Sequence, residues 1–403
     1  MIDIALKTAQ AGDLTRRLVE SSQRLVVTSL DCQTSLGILL VEHDILSLNE
    51  RIYGRYLARD ISNQKKAVIL VRNTLLLEAE IKTIKENGIT TVWVRSPLNC
   101  ELAEGICQKC YGLDLSRPGE AVALGEAVGI IAAQSLGEPG TQLTMRTFHT
   151  GGITGDEDIT QGLPKVKQIF DNIKPKKEEK AILLKEATGE IVSIEEKIIK
   201  LKSPEGEEKV YFVGQGNSPR VNQGDKVQKG AKLTTGKIDL EEYLEIMGRE
   251  ACQNYIKEEI RKVYSSQGID INEKHIEIFA RQMLSRVEII ESDDSDYLVG
   301  DIANYQQVQK LNQSLTDQKK KLISFKNIIS SLKDLAAHPD SSFLAGISFQ
   351  NTLKSLVHYS LYQPVDYLKG SKESLIAGQL IPVGTGFEER EKYSKGIARR
   401  RKR

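Results

Sequence analysis

Four cysteines constrain this chain more than any other feature of its sequence. Cys100, Cys107 and Cys110 form a C-x6-C-x2-C motif, and Cys32 lies far upstream in the segment LDCQTSLG. A C-x2-C pair presents two thiolates from one tight turn, as tetrahedral zinc requires, and two further thiolates would complete the site. Closing the chain back to Cys32 costs roughly 4 kcal/mol of entropy. Zinc–thiolate binding contributes about 10–16 kcal/mol, so the sequence predicts one structural Zn²⁺ on these four cysteines.

Two other interpretations of the cysteines are a disulfide pair and isolated buried thiols. The total of five cysteines is odd, and the N-terminal segment MIDIALKTAQAGDLTRR lacks the basic start and apolar core of a secretory signal. Both observations argue against disulfides. Cys252 stands alone in a helical pattern, and we expect it to pack as a small apolar residue. No stretch reaches the roughly 18 consecutive apolar residues of a membrane helix, so a cytoplasmic chain without membrane contact is predicted.

The first part of the chain has the periodicity of a helix. Residues 1 to about 30 are predicted to form one helix, in which Ala5, Ala9 and Gly12 share a face of small side chains. The pattern is already under way at residue 3 without a capping signal, as expected of a start inside a once longer helix or of a fragment edge. Short strand-like runs such as KKAVILVRN and TTVWVRS follow up to residue 117.

The rest of the chain alternates between strand and helix periodicity. Residues 180–238 have period two with Gly-Asp and Lys-Gly turns, which predicts a small antiparallel barrel or sandwich. Residues 239–290 and about 303–335 are predicted to be helical. Hydrophobic residues make up 40% of the chain and charged residues 28%, but aromatic residues only 5%. The low aromatic content fits either a subunit that buries much of its surface against partners or a genome bias toward Lys, Ile and Asn. The alternation of strand and helix patterns predicts an α+β protein of several modules, and we expect that it is not an independently globular single domain.

The segment at residues 125–152, GEAVGIIAAQSLGEPGTQLTMRTFHTGG, carries the most specific chemistry. If residues 141–149 become helical, Met145 and His149 lie one turn apart, and Arg146 lies three residues before His149. A thioether, a guanidinium and an imidazole could then meet the base, phosphates and leaving group of a nucleotide. A helix this short is marginal alone, so it should form only when a bound substrate supplies contacts. The alternative is an ordinary amphipathic helix with its Met and Phe in a core.

This segment resembles the trigger-loop region of bacterial DNA-directed RNA polymerase beta-prime subunits. The segment DITQGLPKVKQIFD, residues 158–171, matches the sequence that follows that loop, and ALKTAQAGDLTRRLV resembles the C-terminal half of the bridge helix. The four cysteines match the family's second zinc site in order and spacing. GQLIPVGTGF matches the terminal segment. These separated matches occur in family order and span most of the chain.

The resemblance implies roles for individual residues. Met145 would pack on the incoming base, Arg146 and His149 would engage the triphosphate, and Gln142 would lie close to the nucleotide. A histidine with a pKa near 6.5 suits either proton donation or positioning. Bridge-helix positions near the active centre correspond to Lys7, Thr8, Ala9 and Gly12. The neighbouring Arg16 and Arg17 would be either solvated or in contact with phosphate.

The resemblance also implies what other chains must supply. The family's Asp-rich loop that binds catalytic Mg²⁺ has no counterpart here, since the acidic run Asp293-Asp294-Ser295-Asp296 has the wrong spacing and is predicted to be a solvated loop. Mg²⁺ would be bound by the upstream part of beta-prime. Activity would then require that part, beta, the alpha dimer, omega and a sigma factor. The substrates would be template DNA, nascent RNA and nucleoside triphosphates.

Two positions depart from the family pattern, and the module order follows from the resemblance. Asp13 stands where the family has an aromatic residue, and Gln33 replaces a glycine beside Cys32.

The implied modules are the C-terminal half of the bridge helix (1–30), a zinc-binding region (31–117), the trigger-loop region (118–175), a β-rich jaw module (176–240), a helical region (241–300), a divergent helical or linker segment (301–340), a C-terminal switch and clamp-base segment (341–387) and a basic tail (388–403).

Two competing hypotheses come from other functional classes. A stand-alone zinc-containing nucleic-acid-binding regulator would need a basic face, which the formal net charge of +1 disfavours. A purely structural scaffold would not need Met145, Arg146 and His149 together. The sequence therefore favours a polymerase subunit in which a substrate-gated loop closes over a metal site on another chain.

Overall fold

The computed structural model describes the chain at residues 2–42, 47–62, 67–146, 162–185, 188–195, 198–202, 208–214, 216–292, 294–337, 342–350, 352–362, 365–390 and 392. The helices in these ranges are α1 (Ile2–Ser22), α2 (Leu48–Ile52), α3 (Glu78–Glu86), α4 (Gln108–Tyr111), α5 (Val128–Arg146), α6 (Gly162–Phe170), α7 (Leu240–Met247), α8 (Arg249–Ser265), α9 (Glu273–Met283), α10 (Tyr305–Asp317), α11 (Leu332–Ala337), α12 (Phe343–Ile347), α13 (Thr352–Tyr362) and α14 (Ser371–Ile376). Among these helices, none combines the length and apolarity that a membrane span requires.

The strands are short and belong to several small sheets. They are β1 (Val27–Ser29), β2 (Ile38–Val41), β3 (Ile61–Ser62), β4 (Val68–Leu70), β5 (Thr91–Val94), β6 (Ile106–Cys107), β7 (Thr188–Glu195), β8 (Ile198–Lys202), β9 (Glu208–Phe212), β10 (Lys226–Gln228), β11 (Arg286–Glu291), β12 (Ile302–Asn304) and β13 (Ser324–Asn327). This content of helices and separate sheets confirms the predicted mixture of helix and sheet.

Helices α1 and α5 pack against each other in opposite directions. A Cβ atom on Gly129 would lie 2.0 Å from the carbonyl oxygen of Ser22, and one on Gly137 would lie 2.4 Å from Oγ1 of Thr15. These contacts leave no room for a side chain, which explains glycine at both positions. They also fix the antiparallel register, because the chain moves back along α1 as it advances along α5.

The prediction that residues 1 to about 30 form one helix was wrong at its C-terminal end. The helix ends at Ser22, whose hydroxyl donates to the carbonyl oxygens of Leu18 (2.7 Å) and Gly129 (2.9 Å). The chain then enters β1, which pairs in parallel with β6 so that Val27 lies opposite Ile106. Apolar residues continue through this boundary, so the pairing with a distant strand, and not the local pattern, decides the conformation.

One large hydrophobic core joins several of the predicted modules. It includes Leu18 of α1, Leu136 of α5 and Ile260 of α8, together with residues of α9 and α11. Three smaller clusters lie under the sheet formed by β2 and β5, the sheet formed by β7–β10, and the sheet formed by β11–β13. Helices from both halves of the chain contribute to the main core. The helix pair and the cysteine region therefore share one hydrophobic core.

Strands β7–β10 form an antiparallel sheet in the order β10-β7-β8-β9. Ile191 lies opposite Leu201, and Ile199 lies opposite Tyr211, so their side chains build the local core. The antiparallel pairing was predicted from the period-two pattern. Closure into a barrel or sandwich stays a prediction, because the described strands form one four-stranded sheet.

The predicted helix at about 303–335 was wrong in its second half. Helix α10 ends at Asp317, Lys319 takes a positive φ of 57°, and β13 then pairs antiparallel with β11. The side chains of Ile323 and Phe325 pack into the local core, so burial against β11 outweighs the polar, helix-like composition around them. In the acidic run, Asp294 and Asp296 are exposed as predicted. Asp293 lies outside the described residues, as do residues 393–403 of the predicted basic tail.

A buried group of charges connects the cysteine region to α8 and α9. Arg55 donates to both carboxylate oxygens of Glu277, at 2.9 and 2.7 Å, and the hydroxyl of Ser96 donates to Glu277 at 2.7 Å. Glu273 accepts hydrogen bonds from Arg51 (2.9 Å) and from residues of α8. Glu277 is completely buried and Arg55 is only 4% exposed, so these carboxylates and cations depend on each other for compensation.

His275 of α9 gives this region a pH dependence that can be tested. Burial lowers the pKa of His275 to about 3, and the adjacent Lys274 adds to the effect. A histidine in the unfolded chain has a pKa near 6.5, so the unfolded state takes up the proton first as the pH falls. We expect the free energy of opening of α9 to decrease by about 2 kcal/mol more between pH 7 and pH 5 in the native chain than in His275→Gln. Amide hydrogen exchange with pH-corrected intrinsic rates measures the difference, and equal slopes would contradict the assignment.

Candidate metal centre and helix pair

The four predicted cysteines come from three separate stretches of chain. Cys32 follows β1, and Cys100 follows a 3-10 helix at Pro97–Asn99 that is capped by the hydroxyl of Ser96. Cys107 ends β6, and Cys110 lies in the short helix α4 that begins directly after it. The parallel pairing of β1 with β6 brings the segment of Cys32 to the segment of Cys107 and Cys110.

The structure gathers the four sulfur atoms into a group that could hold a metal ion. All four Sγ atoms lie within 4.8 Å of one another, and the Sγ atoms of Cys32 and Cys110 are 3.6 Å apart. None of these cysteines forms a disulfide. Tetrahedral coordination at a metal–sulfur distance of about 2.3 Å requires sulfurs about 3.8 Å apart, so the observed spacing fits such an ion. Cys252 is separate and fully buried in α8, which confirms its predicted apolar role.

Hydrogen bonding among the four thiols shifts the pKa of each of them. Hydrogen bonds from the other thiols, Cys100 first, hold the pKa of Cys32 far below its usual range. The pKa values of Cys107 and Cys110 are raised, first by their hydrogen bonds to Cys100. Four adjacent thiolates repel one another, and they can all ionise only when a cation among them compensates their charge.

Gln33 explains one departure from the resembled family. It has a φ of 62°, in the left-handed region that favours glycine, and its backbone N–H donates to the carboxylate of Asp31 at 2.8 Å. The conformation next to Cys32 is therefore one that a glycine would adopt without strain. In this chain the Asp31 carboxylate holds the same turn around a larger residue.

Two buried arginines organise the cluster, and the sequence did not single out either. Arg281 of α9 donates to the carbonyl oxygens of Cys100 (3.3 Å), Leu102 (2.6 Å) and Gly105 (2.9 Å), so it fixes the loop between two of the ligands. Arg95 lies against the sulfur atoms themselves. The available signal for Arg95 was a charged residue placed directly after the apolar run of β5 and shortly before a cysteine.

The predicted nucleotide-facing residues lie on the helix pair or outside the described residues. Gln142, Met145 and Arg146 occupy the last turns of α5, which run toward the end of α1 that carries Lys7 and Thr8. Thr8 is partly buried. The side chains of Lys7, Gln142, Met145 and Arg146, and the whole of His149, are outside what the structure describes.

Arg17 differs from both roles considered for it, whereas Arg16 is exposed, as one of the two roles requires. Arg17 is 9% exposed, donates to both carboxylate oxygens of Asp171 at 3.2 Å, and forms an ion pair with Asp13. It is therefore neither solvated nor available to a phosphate in this arrangement. Arg16 donates to the carbonyl oxygen of Phe349 at 3.3 Å and lies over its ring. Asp13, where the family has an aromatic residue, thus serves as a partner of Arg17.

The fold and the site together define a protein of several modules organised around a four-cysteine cluster of metal-binding type and an antiparallel helix pair. Comparison with known proteins then identifies its family. A sequence model of the family described as RNA polymerase Rpb1, domain 5, matches residues 1–333. The chain belongs to this family, as its sequence predicted.

Several curated relatives support the same assignment. The chain is 45% identical over 397 residues to the DNA-directed RNA polymerase subunit beta' of Caldicellulosiruptor saccharolyticus, in a match that covers 96% of this chain and 33% of that subunit. The subunits beta' of Mycoplasma capricolum and Moorella thermoacetica are 42% and 40% identical, over 96% of this chain and 31% and 34% of their own lengths. The chain therefore spans about a third of the length of these relatives, and the matched part is their C-terminal part.

Proposed function

We propose that this chain acts as the C-terminal part of the beta-prime subunit of a DNA-directed RNA polymerase. In this proposal it contributes a segment that closes on the incoming nucleoside triphosphate during template-directed RNA synthesis. The observation that carries the proposal is the antiparallel packing of α1 and α5. Because α5 runs antiparallel to α1, its last turns, which contain Gln142, Met145 and Arg146, extend toward the end of α1 that holds Lys7 and Thr8. This course supports a single substrate site shared by residues from distant parts of the sequence.

The surface of α1 supports an approach of nucleic acid or nucleotide. Ala9 is exposed, and a Cβ atom added to Gly12 would meet no atom within 4 Å among the described residues. Small residues on an open face let a bulky ligand come close to the helix backbone. This is the arrangement expected if template or substrate passes beside α1.

The middle of α5 supports a segment that moves relative to a fixed base. Pro139 lies inside the helix and cannot donate a backbone hydrogen bond, so the helix is weakened just before residue 141. One turn earlier, the hydroxyl of Tyr264 donates to the carbonyl oxygen of Leu136 at 2.7 Å and ties α5 to α8. We therefore propose that residues up to Leu136 stay in place while the segment that contains Met145, Arg146 and His149 folds over the nucleotide.

In this mechanism, Met145 packs on the base, Arg146 and His149 engage the triphosphate, and Gln142 lies close to the nucleotide. Phosphoryl transfer depends on positioning and on compensation of charge that develops on the phosphates. The chain supplies the positioning groups. Mg²⁺ would be bound by the upstream part of beta-prime, and beta, the alpha dimer, omega and a sigma factor would complete a cytoplasmic enzyme on template DNA and nascent RNA.

We assign one structural zinc ion to Cys32, Cys100, Cys107 and Cys110. Four cysteine sulfurs, which here lie within 4.8 Å of one another, are the ligand set of closed, structural zinc sites that keep no open position for substrate. The bound ion would crosslink the three segments that carry these cysteines. The proposal thus separates a folding role for zinc from the catalytic role of magnesium.

The proposed role of His149 can be tested in the assembled polymerase. We expect His149→Ala to slow single-nucleotide addition about 100-fold, the lower end of what a positioned acid–base group contributes, and to leave assembly unchanged. His149→Gln keeps hydrogen bonding without proton transfer, so a rate near that of the native enzyme would assign a positioning role. Single-turnover extension of a stalled RNA measures both rates.

Two outcomes would contradict the proposal at different levels. Unchanged addition by His149→Ala would remove the role of this residue but leave the subunit assignment intact. Purification of the native chain alone, without beta and an upstream beta-prime part, would overturn the subunit assignment and favour a stand-alone regulator.

A further inference from the structure

The guanidinium of Arg95 covers one face of the four-cysteine cluster. Its Nη2 atom lies 3.2 Å from Sγ of Cys32, 3.6 Å from Sγ of Cys107 and 3.3 Å from Sγ of Cys110. These three sulfurs form one face of the four-sulfur group, and Cys100 completes it. Arg95 itself is 1% exposed, so its positive charge is held inside the protein against the thiolates.

The other side of the same guanidinium is fixed by oxygen atoms. Nη1 donates to Oδ1 of Asp31 at 2.7 Å and to Oδ1 of Asn73 at 2.9 Å. The backbone N–H of Arg95 donates to the carbonyl oxygen of Tyr56 at 2.7 Å. Asp31 also accepts from Nζ of Lys109 at 2.8 Å. The planar fork is therefore held in one orientation, and that orientation directs Nη2 at the sulfurs.

The negative charge of a four-thiolate centre explains what the contact with the Arg95 guanidinium contributes. Four thiolates and one divalent cation leave two uncompensated negative charges in a buried site, and buried charge is unfavourable unless it is paired. N–H···S hydrogen bonds also withdraw electron density from the sulfurs and share their negative charge with the guanidinium. Both effects lower the energy of the charged sulfurs that would hold the metal.

We propose that Arg95 is a positioning residue of the metal centre: it compensates the charge of the thiolates of Cys32, Cys107 and Cys110 and slows the release of zinc. The inference rests on the proposed zinc centre. It also explains how Cys32, the ligand most distant in sequence, stays in place, because Arg95 binds both its sulfur and the side chain of the preceding Asp31. A merely structural arginine would hold Asp31 and Asn73 without affecting the metal–sulfur bonds.

The experiment compares zinc release from assembled polymerase that carries native or variant chain. Zinc content is measured first. The first-order rate of zinc release is then measured from the absorbance change of a chromogenic chelator that binds the released ion. We expect Arg95→Gln to release zinc roughly 10–100-fold faster than the native chain, the usual effect of losing a group that supports a metal ligand. Arg59→Gln is the matched control, because Arg59 is exposed and stacked on Trp93 with its Cζ 4.0 Å from the ring centre. Its release rate should stay within about twofold of native.

A spectroscopic measurement separates the proposed role from loss of packing. In enzyme prepared with cobalt in place of zinc, removal of N–H···S hydrogen bonds raises the energy of the sulfur lone pairs. The thiolate-to-cobalt charge-transfer band of Arg95→Gln should therefore move to longer wavelength, and that of Arg59→Gln should not. Arg95→Lys restores the charge without the fork, so we expect a release rate between those of native and Arg95→Gln.

The possible results distinguish this inference from the proposed function. A native chain without zinc would overturn the zinc centre and this inference with it. One zinc per chain, with release from Arg95→Gln within twofold of native and an unshifted cobalt band, would overturn the role of Arg95 alone. If Arg95→Gln does not assemble, Arg95→Lys decides: faster release with a shifted band supports the role, and native behaviour overturns it.

Discussion

Replacing Cys107 with serine is expected to release the proposed zinc ion and to unfold the segments that carry the other three thiolates. Zinc–thiolate centres contribute roughly 10–16 kcal/mol to the folded state, and serine is a poor substitute because its hydroxyl stays protonated near neutral pH. Cys107 has a second role, since its sulfur accepts the backbone N–H of Cys110 at 3.4 Å. Metal analysis should find the content falling from one zinc per chain to nearly none.

The structural result of this substitution should be local and measurable by amide hydrogen exchange. Protection should be lost around β1 and β6, whose parallel pairing the cluster holds in place. Cys252→Ala is the matched control. Cys252 is buried in α8 and burial raises the pKa of its thiol to about 12, so its loss should leave one zinc per chain and normal protection of β1 and β6. Full zinc content in Cys107→Ser would disprove the assignment of this ligand.

The cysteine cluster could be predicted from sequence because metal binding imposes a spacing that local chain geometry must satisfy. Cys107 and Cys110 lie at the start of one short helix, and the same turn would be expected in any chain with that spacing. The supporting contacts could not be predicted in the same way. Arg95 contacts Asp31 and Asn73 only because three separate segments of the chain fold together. The periodicity of the sequence does not indicate these contacts.

The same distinction explains the errors in secondary structure. Apolar residues continue past Ser22 and suggested a longer helix, but Val27 pairs with Ile106 in a strand. Polar residues around α10 suggested a helix to about residue 335, but Phe325 pairs with Ile289 in a sheet. In both places a distant strand supplies the hydrogen bonds, and tertiary pairing overrides the local preference.

Replacing Glu277 with alanine is expected to destabilise the junction between the cysteine region and α9 by roughly 3–5 kcal/mol. The substitution leaves Arg55 buried without the carboxylate that accepts hydrogen bonds from both of its terminal nitrogens. It also removes the acceptor of the hydrogen bond from the Ser96 hydroxyl. Desolvation alone would raise the pKa of Glu277, but the charge of Arg55 holds it below its usual value. The carboxylate is therefore ionised in the folded state and compensates Arg55. The free energy of opening of α9, measured by hydrogen exchange in the assembled polymerase, reports the loss.

Two further variants show whether the loss comes from an uncompensated charge. Glu258→Ala removes a carboxylate from the same buried group of charges, but one whose side chain is 31% exposed. We therefore expect the free energy of opening of α9 to change by less than about 1 kcal/mol. The double variant Arg55→Met with Glu277→Leu removes both buried charges and should recover most of the stability lost in Glu277→Ala, because apolar side chains of similar size need no compensation. If the double variant were as unstable as Glu277→Ala, the loss would come from altered packing around Ser96 and not from the charge on Arg55. If Glu277→Ala changed the opening energy by less than 1 kcal/mol, the pair would not hold α9 to the cysteine region. The shared hydrophobic core and the contacts of Glu273 and Arg281 would then do so.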